Sequence, residues 1–129
     1  MNIAITLPQD LWSKIVSGEK KVEMRKWDLP RHFDLKLDSI YVVIKGTRKI
    51  VGRFKVEDVQ MSFLRFAAWR RFGDGLGVSY QWFTQYWGNS YVMFFFVIGN
   101  CRVLSCFGTI EVPHAPQKYI LMDKVWKSL

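Results

Sequence analysis

The segment from Gly18 to Lys26, GEKKVEMRK, carries side chains that could bind an anion or the edge of a base. Arginine offers a planar pair of donors to such groups, and a glutamate accepts from an exocyclic amine. Lys20, Glu23 and Arg25 therefore form a candidate binding site, the charged cluster. Trp27 is expected on the same strand face, where its ring could stack on a base. An alternative interpretation is a surface ion pair between Glu23 and Arg25, which contributes only about 0–1 kcal/mol.

Lys20, with Glu23 beside it, is also the residue on which a catalytic role would depend. A lysine acts as a base or nucleophile only when its pKa falls far below the ordinary value of about 10.4. Burial and neighbouring cations would lower that pKa, whereas Glu23 would raise it by stabilising the ammonium form. A lysine held by a carboxylate is better suited to binding an anion than to removing a proton, so the sequence favours binding.

The elements that position the charged cluster follow from hydrophobic spacing. The β-branched segment Asn2 to Leu7 predicts a strand, and Pro8 suits the first turn of a helix. Gly18 can end that helix in the left-handed conformation. From Lys21 apolar and polar residues alternate, which predicts a strand with one polar face. The charged cluster is therefore expected where a helix end, a turn and a strand start meet.

The rest of the chain predicts strands and helices without regular alternation between them. Strands are expected at Ser39 to Lys45, Ile50 to Val59, Tyr91 to Ile98, Arg102 to Phe107 and Lys118 to Met122, with a bulge at Gly52 and a turn at Gly99 to Cys101. One helix is expected from Ser62 to Arg71, ended by Gly73 to Gly77, and a second from Ser79 to Gly88. The first is expected to be buried through Phe63, Phe66, Ala67 and Trp69. A loop is expected at Asp28 to Asp38. This order indicates one α+β domain, residues 1–129, or a small barrel.

Gly18, Lys20, Glu23 and Arg25 also fit the pattern G-x-K-x-x-E-x-R, and through them the chain resembles the ASCH domains, relatives of the PUA RNA-binding fold. The resemblance continues at Gly77-Val78-Ser79, Tyr86-Trp87-Gly88 and Pro116-Gln117-Lys118-Tyr119. It implies an α+β fold, a PUA-like small mixed β-barrel of about six strands with about three flanking helices. It also implies a cleft beside the G-x-K-x-x-E-x-R strand for RNA, or for a modified nucleobase or nucleotide.

The same resemblance implies the main alternative function. Some small family members are amidohydrolases acting on N4-acylated cytidine, and others are ribonucleases. In the amidohydrolases the lysine matching Lys20 is catalytic, a threonine stands at the position of Glu23, and an acidic residue lies on the later helix. This chain departs at the last two places, because Phe63 to Arg71 offers arginines and Asp74 falls in a glycine-rich stretch expected to be a loop. Binding is therefore favoured over hydrolysis centred on Lys20 and Glu23.

The charge of the chain indicates a polyanionic partner. There are 19 Lys and Arg residues against 11 Asp and Glu, a net charge of +8, so nucleic acid is the expected partner. Possible phosphate contacts are Lys21, Lys45, Arg48, Lys49 and Arg53. The last four are grouped with Lys55 on a predicted hairpin. These hairpin cations could follow a phosphate backbone or simply be solvated. Arg65, Arg70 and Arg71 predict a solvated helix surface, and Trp12, Trp69 and Trp82 predict core packing.

Other features mainly exclude function classes. Cys101 and Cys106 form no recognised zinc spacing with His32 and His114, so free thiols, no metal and no cofactor are expected. No signal peptide is recognisable, and the longest apolar run is well short of the ~18 residues that cross a bilayer. A cytoplasmic protein without a membrane partner is therefore expected. The aromatic content leaves a third class open, a protein-interaction or inhibitor module.

Overall fold

The computed structural model describes residues 1–26, 37–104, 110–114, 116 and 119–127. Its strands are β1 (Asn2–Leu7), β2 (Val22–Lys26), β3 (Ser39–Ile44), β4 (Ile50–Ser62), β5 (Met93–Val103) and β6 (Ile120–Leu121). Its helices are α1 (Gln9–Ser17), α2 (Arg65–Leu76), α3 (Tyr80–Trp87) and α4 (Met122–Lys127). The predicted α+β class is confirmed, and the short α4 adds to the three expected helices. None of the helices in these ranges is long and apolar enough to cross a membrane.

The described strands form one mixed sheet in the order β2-β5-β4-β3-β1-β6. β1 and β3 are parallel, and the other neighbouring pairs are antiparallel. In a flat sheet β2 and β1 would lie four strand spacings apart, about 19 Å. The side chain of Arg25 on β2 nevertheless donates to the Thr6 carbonyl of β1 at 2.7 Å. The sheet is therefore curled into a half-barrel, consistent with the expected PUA-like fold.

Each face of the curled sheet has its own core. The inner core contains Ile3, Ile5, Leu7, Ile40, Val42, Phe54, Phe94 and Phe96, and α1 covers it with Trp12 and Ile15. On the outer face, α2 and α3 cover one end of the sheet through a cluster of Val22, Met24, Ala68, Phe72, Leu76, Phe83, Trp87, Met93 and Phe95. The other end of that face packs Tyr41, Val43 and Ile50 against Val112, Met122 and Val125. Helix α1 and helix α2 therefore lie on opposite sides of β2.

Helix α2 begins later than predicted and is less buried. Ser62 does not cap it, because Ser62 is the last residue of β4, and the helix starts at Arg65. Phe63 and Phe66, expected in the core, are 64% and 66% exposed. The buried stripe of α2 runs instead through Ala68, Phe72 and Leu76, at spacings of four residues, so Phe66 lies off the packed face.

The same helix also ends later than predicted. It continues through Gly73 and Asp74 to Leu76, and Gly77 ends it with φ at 73°. Gly75 allows close approach to β2, because a Cβ at this position would lie 3.3 Å from Cγ2 of Val22. Tertiary packing therefore overrides the low helix propensity of glycine.

Strands β4 and β5 are longer than predicted. Gly99 to Cys101, expected to form a turn, lie within β5, because β4 continues to pair beside them with Phe54 opposite Cys101. The register of β3 and β4 shifts between Val42 and Val43, next to Gly52, close to the expected bulge. Of the predicted tail strands, residues 105–107 and 118 lie outside the described residues. Arg102 and Val103 belong to β5, and the separate strand seen is Ile120–Leu121.

Candidate functional site

The charged cluster lies at the start of β2 and on its inner side. Val22 and Met24 face α2 and α3, so the alternate residues Glu23 and Arg25 face the interior of the half-barrel. Glu23 pairs in register with Phe96, which belongs to the inner core. Lys20 and Glu23 are only 3% and 4% exposed. The surface ion pair considered as an alternative is therefore wrong for Glu23.

Lys20 joins β2 to the C-terminal end of α2. Its ammonium group donates to the carbonyls of Val22 at 2.7 Å and Leu76 at 2.6 Å, and lies 3.6 Å from Oε1 of Glu23. Helix α2 has no basic residue in its own last turn. Lys20, and Lys14, which donates to the Gly77 carbonyl at 2.8 Å, supply the cations that a helix C-terminus favours.

Burial lowers the pKa of Lys20 below its usual value, and this desolvation is the largest influence on it. Glu23 raises the pKa through its nearby negative charge, whereas the charges of Arg25 and Lys14 lower it further. The net direction is downward because the ammonium group is removed from water. The carbonyls of Val22 and Leu76 nevertheless use two of the three N–H donors of the ammonium ion, and the nearby carboxylate of Glu23 balances its charge.

Glu23 and Arg25 each leave one buried atom without a hydrogen bond. Oε1 of Glu23 accepts from the backbone N–H of Met24 at 2.8 Å, and Nη2 of Arg25 donates to Thr6. Oε2 of Glu23 lies 3.8 Å from Nη2 of Arg25, too far for a hydrogen bond. Within the described part of the chain, Oε2 of Glu23 and Nε of Arg25 are buried without a hydrogen-bond partner. One open acceptor and one open donor thus lie on neighbouring side chains.

Other residues of the predicted site lie apart from the charged cluster or outside the described residues. Gly18 ends α1 with φ at 85°. Lys21 is exposed, and its backbone bonds to Gly75 and Ile98. Lys26 places its ammonium 5.1 Å from the ring centre of Tyr86. The residues predicted here that lie outside the described ones are Trp27, His32, Cys106, Gln117 and Lys118.

The cations of the β3–β4 hairpin have different surroundings. Arg48 lies 3.7 Å from Glu111 and donates to the Pro113 carbonyl at 3.3 Å. Lys49 is exposed, and Arg53 lies against Tyr41 on the outer face. Lys45 is nearer to the charged cluster, because its backbone N–H donates to the carbonyl of Leu7, the residue after Thr6.

Sequence reasoning missed the partners that fix the site and misplaced two other residues. Thr6 and Lys14 carry no signal of their contacts, since Arg25 is 19 residues from Thr6 and Lys14 is 63 from Gly77. Asp74 lies on α2 rather than in a loop, and its side chain is exposed. Trp82, expected in the core, is 42% exposed.

A concavity lies where α1 and α3 begin. It has a volume of about 230 Å³ and is lined by Pro8, Asp10, Leu11, Lys14, Gly77, Val78, Ser79 and Trp82. The hydroxyl of Ser79 already accepts from the Trp82 backbone, and Lys14 already donates to Gly77. The polar groups on its wall are therefore largely engaged within the protein.

Comparisons with known proteins identify relatives by family and by fold. The family model of the ASCH domain matches residues 5–96. The crystal structure of ASCH from Zymomonas mobilis has a TM-score of 0.78 at 19% identity, covering 98% of this chain and 91% of that one. The crystal structure of a mutant of that protein has a TM-score of 0.79 at 18% identity, covering 98% of this chain and 92% of the mutant chain. The crystal structure of hypothetical protein PH0355 has a TM-score of 0.57 at 17% identity, covering 81% of this chain and 100% of that one. No curated relative matches the sequence. The TM-scores show a shared fold, and at identities this low the similarity to these structures extends to the fold alone.

Proposed function

We propose that this chain, which belongs to the ASCH domain family, binds RNA, or a modified nucleobase or nucleotide, at the charged cluster. The observation that supports this most is the pair of buried atoms without hydrogen bonds, Oε2 of Glu23 and Nε of Arg25. A buried polar group left unpaired costs about 1–3 kcal/mol, so it calls for an explanation. A ligand with a donor beside an acceptor would satisfy both atoms, and base edges carry that pattern.

The charge around the cluster supports a ligand with phosphate. The net charge of +8 favours polyanions. Lys45 is exposed and follows β3 at the end of β1 that Arg25 contacts, where its ammonium group could approach a phosphate. In this proposal Lys20 holds β2 and Glu23 in place, Glu23 and Arg25 contact the base, and Trp27 stacks on it.

Binding of a short single-stranded RNA, followed by fluorescence anisotropy over a range of salt concentrations, tests the proposal. We expect affinity to fall as salt rises, because bound phosphates release counterions. Glu23→Gln should weaken binding about 5- to 150-fold, the effect of losing about 1–3 kcal/mol of base recognition. Arg25→Lys should weaken it similarly, because lysine keeps the charge but lacks the Nε donor.

Glu19→Gln is the matched control, because Glu19 is exposed in the same segment and loses the same charge. It should leave affinity unchanged. Nucleosides titrated against the unlabelled protein then separate a base ligand from RNA alone. Absence of RNA and nucleoside binding even at low salt would refute the proposal, as would equal affinities for the Glu19 and Glu23 variants.

A hydrolase centred on Lys20 is the second candidate, and the lowered pKa of Lys20 favours it. A lysine whose pKa is lowered by burial is more often in the neutral amine form, which could accept a proton or attack a carbonyl. Against it, the ammonium already donates to two carbonyls. Incubation with N4-acetylcytidine and with RNA, beside a folded Lys20→Ala variant, tests this candidate. Turnover that the variant loses would replace binding by hydrolysis as the function.

The third class, a protein-interaction module, has one observation in its favour. The side chains of Met61, Phe63, Leu64 and Phe66 are 47% to 69% exposed around the end of β4 and the start of α2. Exposed apolar clusters of this kind often mark interaction sites. Nothing in the described residues indicates a partner that would cover them.

A further inference from the structure

The pairing of β4 with β5 brings two arginines together on the outer face of the sheet. Arg53 lies directly opposite Arg102 in this antiparallel register. Residues opposite each other in such a pair point to the same face, with Cβ atoms about 4.5–5.5 Å apart. Arg53 is also opposite Tyr41, and Lys55, two residues further along β4, lies on the same face opposite Ser39. Three cations therefore share one surface, which we call the arginine pair surface.

None of these three cations forms an ion pair with a carboxylate of the described residues, and the carboxylate closest to them along β4 is Glu57, two residues beyond Lys55. The cations that form ion pairs in the described part of the chain are Met1, Lys20, Arg25 and Arg48, and none of them belongs to the arginine pair surface. Like charges directly opposite one another on a sheet destabilise it. A bound anion would remove that repulsion.

Arg53 is also held in place. Its Nη1 lies 3.4 Å from the hydroxyl of Tyr41, and its guanidinium carbon lies 5.9 Å from the centre of that ring. Tyr41 is only 7% exposed, so it provides a fixed support. Arg102 and Lys55 are exposed and can approach a ligand from solvent. An arginine restrained by an aromatic ring loses less conformational entropy when it binds.

We propose that Arg53 and Arg102, assisted by Lys55, bind the oxyanion of a phosphate group. Two planar guanidinium forks match the oxygens of a phosphate, and a lysine adds a point charge. The group is either a backbone phosphate of a polynucleotide or a free phosphate. The arginine pair surface lies on the outer face, whereas Glu23 and Arg25 face the interior, so this site is separate from the charged cluster and does not depend on the function proposed for it.

Thermal unfolding with inorganic phosphate tests the shared chemistry. Phosphate and chloride are compared at equal ionic strength in the wild type, in Arg102→Gln and in Arg70→Gln. Arg70 is an exposed arginine on α2 and serves as the matched control. Phosphate should raise the Tm of the wild type and of Arg70→Gln, and this shift should be lost in Arg102→Gln. Arg102 is exposed, so its replacement should leave the fold intact.

The salt dependence of RNA binding distinguishes the two sources of phosphate. For each lost contact to single-stranded RNA, the slope of log affinity against log salt should fall by about 0.7. A smaller slope in Arg102→Gln than in Arg70→Gln identifies a backbone phosphate. An unchanged slope with loss of the phosphate-dependent Tm shift identifies a free phosphate. The proposal is overturned if Arg102→Gln matches Arg70→Gln in the phosphate-dependent Tm shift and in the slope. The Tm measurement uses inorganic phosphate alone, so absence of RNA binding in the Glu23 experiment would leave it unaffected and would by itself exclude a backbone phosphate.

Discussion

Replacing Lys20 with methionine is expected to lower the free energy of unfolding by about 3 kcal/mol or more. Methionine has nearly the volume of lysine but cannot donate, so the carbonyls of Val22 and Leu76 lose a charged donor. Glu23 would keep its buried carboxylate, with Arg25 as its remaining ion-pair partner among the described residues, at 3.8 Å. Removing one partner of a buried ion pair is costly because the other charge stays out of water. Urea denaturation measures the loss.

Lys14→Met is the matched control for this change. Lys14 donates to the next carbonyl, that of Gly77, but its side chain is only partly buried, so we expect a loss of about 1 kcal/mol. The double change Lys20→Met with Glu23→Gln should recover part of the loss, since it removes the charge left unpaired. Equal losses of unfolding free energy in the Lys14 and Lys20 variants would show that the buried contacts of Lys20 stabilise the fold no more than the contact of Lys14.

The stability that Lys20→Met loses relative to the wild type, its stability deficit, should depend on pH because the pKa of Lys20 is lowered. Between the folded pKa and the ordinary value of 10.5, the unfolded chain binds more protons at this site than the folded one. Stability contributed by the site therefore increases with pH through that window and is smallest below the folded pKa. The deficit of the variant should accordingly widen as the pH rises from neutral towards 10.5. A deficit that narrows would contradict the direction of the pKa shift.

Local features of the charged cluster were accessible to sequence reasoning because they depend on near neighbours. The apolar stripe of α1 and the left-handed Gly18 at its end follow from spacing and from the freedom of glycine. Alternation along β2 separates Val22 and Met24 from Glu23 and Arg25 in the way the structure does. The family resemblance, which begins in this segment and continues in three later ones, added the expectation of a PUA-like barrel to the α+β class.

Contacts between distant segments were not accessible in this way. Lys20 donates to Leu76, 56 residues further on, and Arg25 crosses the open side of the half-barrel to Thr6. The burial of Glu23 depends on the curl of the sheet, which alternation along one strand does not show. Arg102 was assigned no role because only the β4–β5 register places it opposite Arg53. In each case the decisive partner is set by topology and not by local spacing.

Gly52→Ala should be among the most destabilising single substitutions in the sheet, with a loss of about 3 kcal/mol. Gly52 lies beneath Trp12, which is 4% exposed and belongs to the inner core. A Cβ at Gly52 would lie 2.5 Å from the backbone oxygen of Arg102 and 2.6 Å from Cη2 of Trp12. The glycine expected to form a bulge is thus also required by the helix that covers the inner core. Thermal or urea denaturation measures the effect.

Gly99→Ala is the matched control, because Gly99 lies on the neighbouring strand and its added Cβ would meet the side chain of Glu57 at 2.8 Å. Glu57 is exposed and can move away, so the loss should stay below about 1 kcal/mol. Adding Trp12→Leu to Gly52→Ala relieves only the contact with the ring, and the Arg102 carbonyl still blocks the Cβ. The double variant should therefore not regain wild-type stability. A Gly52→Ala protein as stable as Gly99→Ala would mean that α1 does not press on β4 as closely as the structure places it.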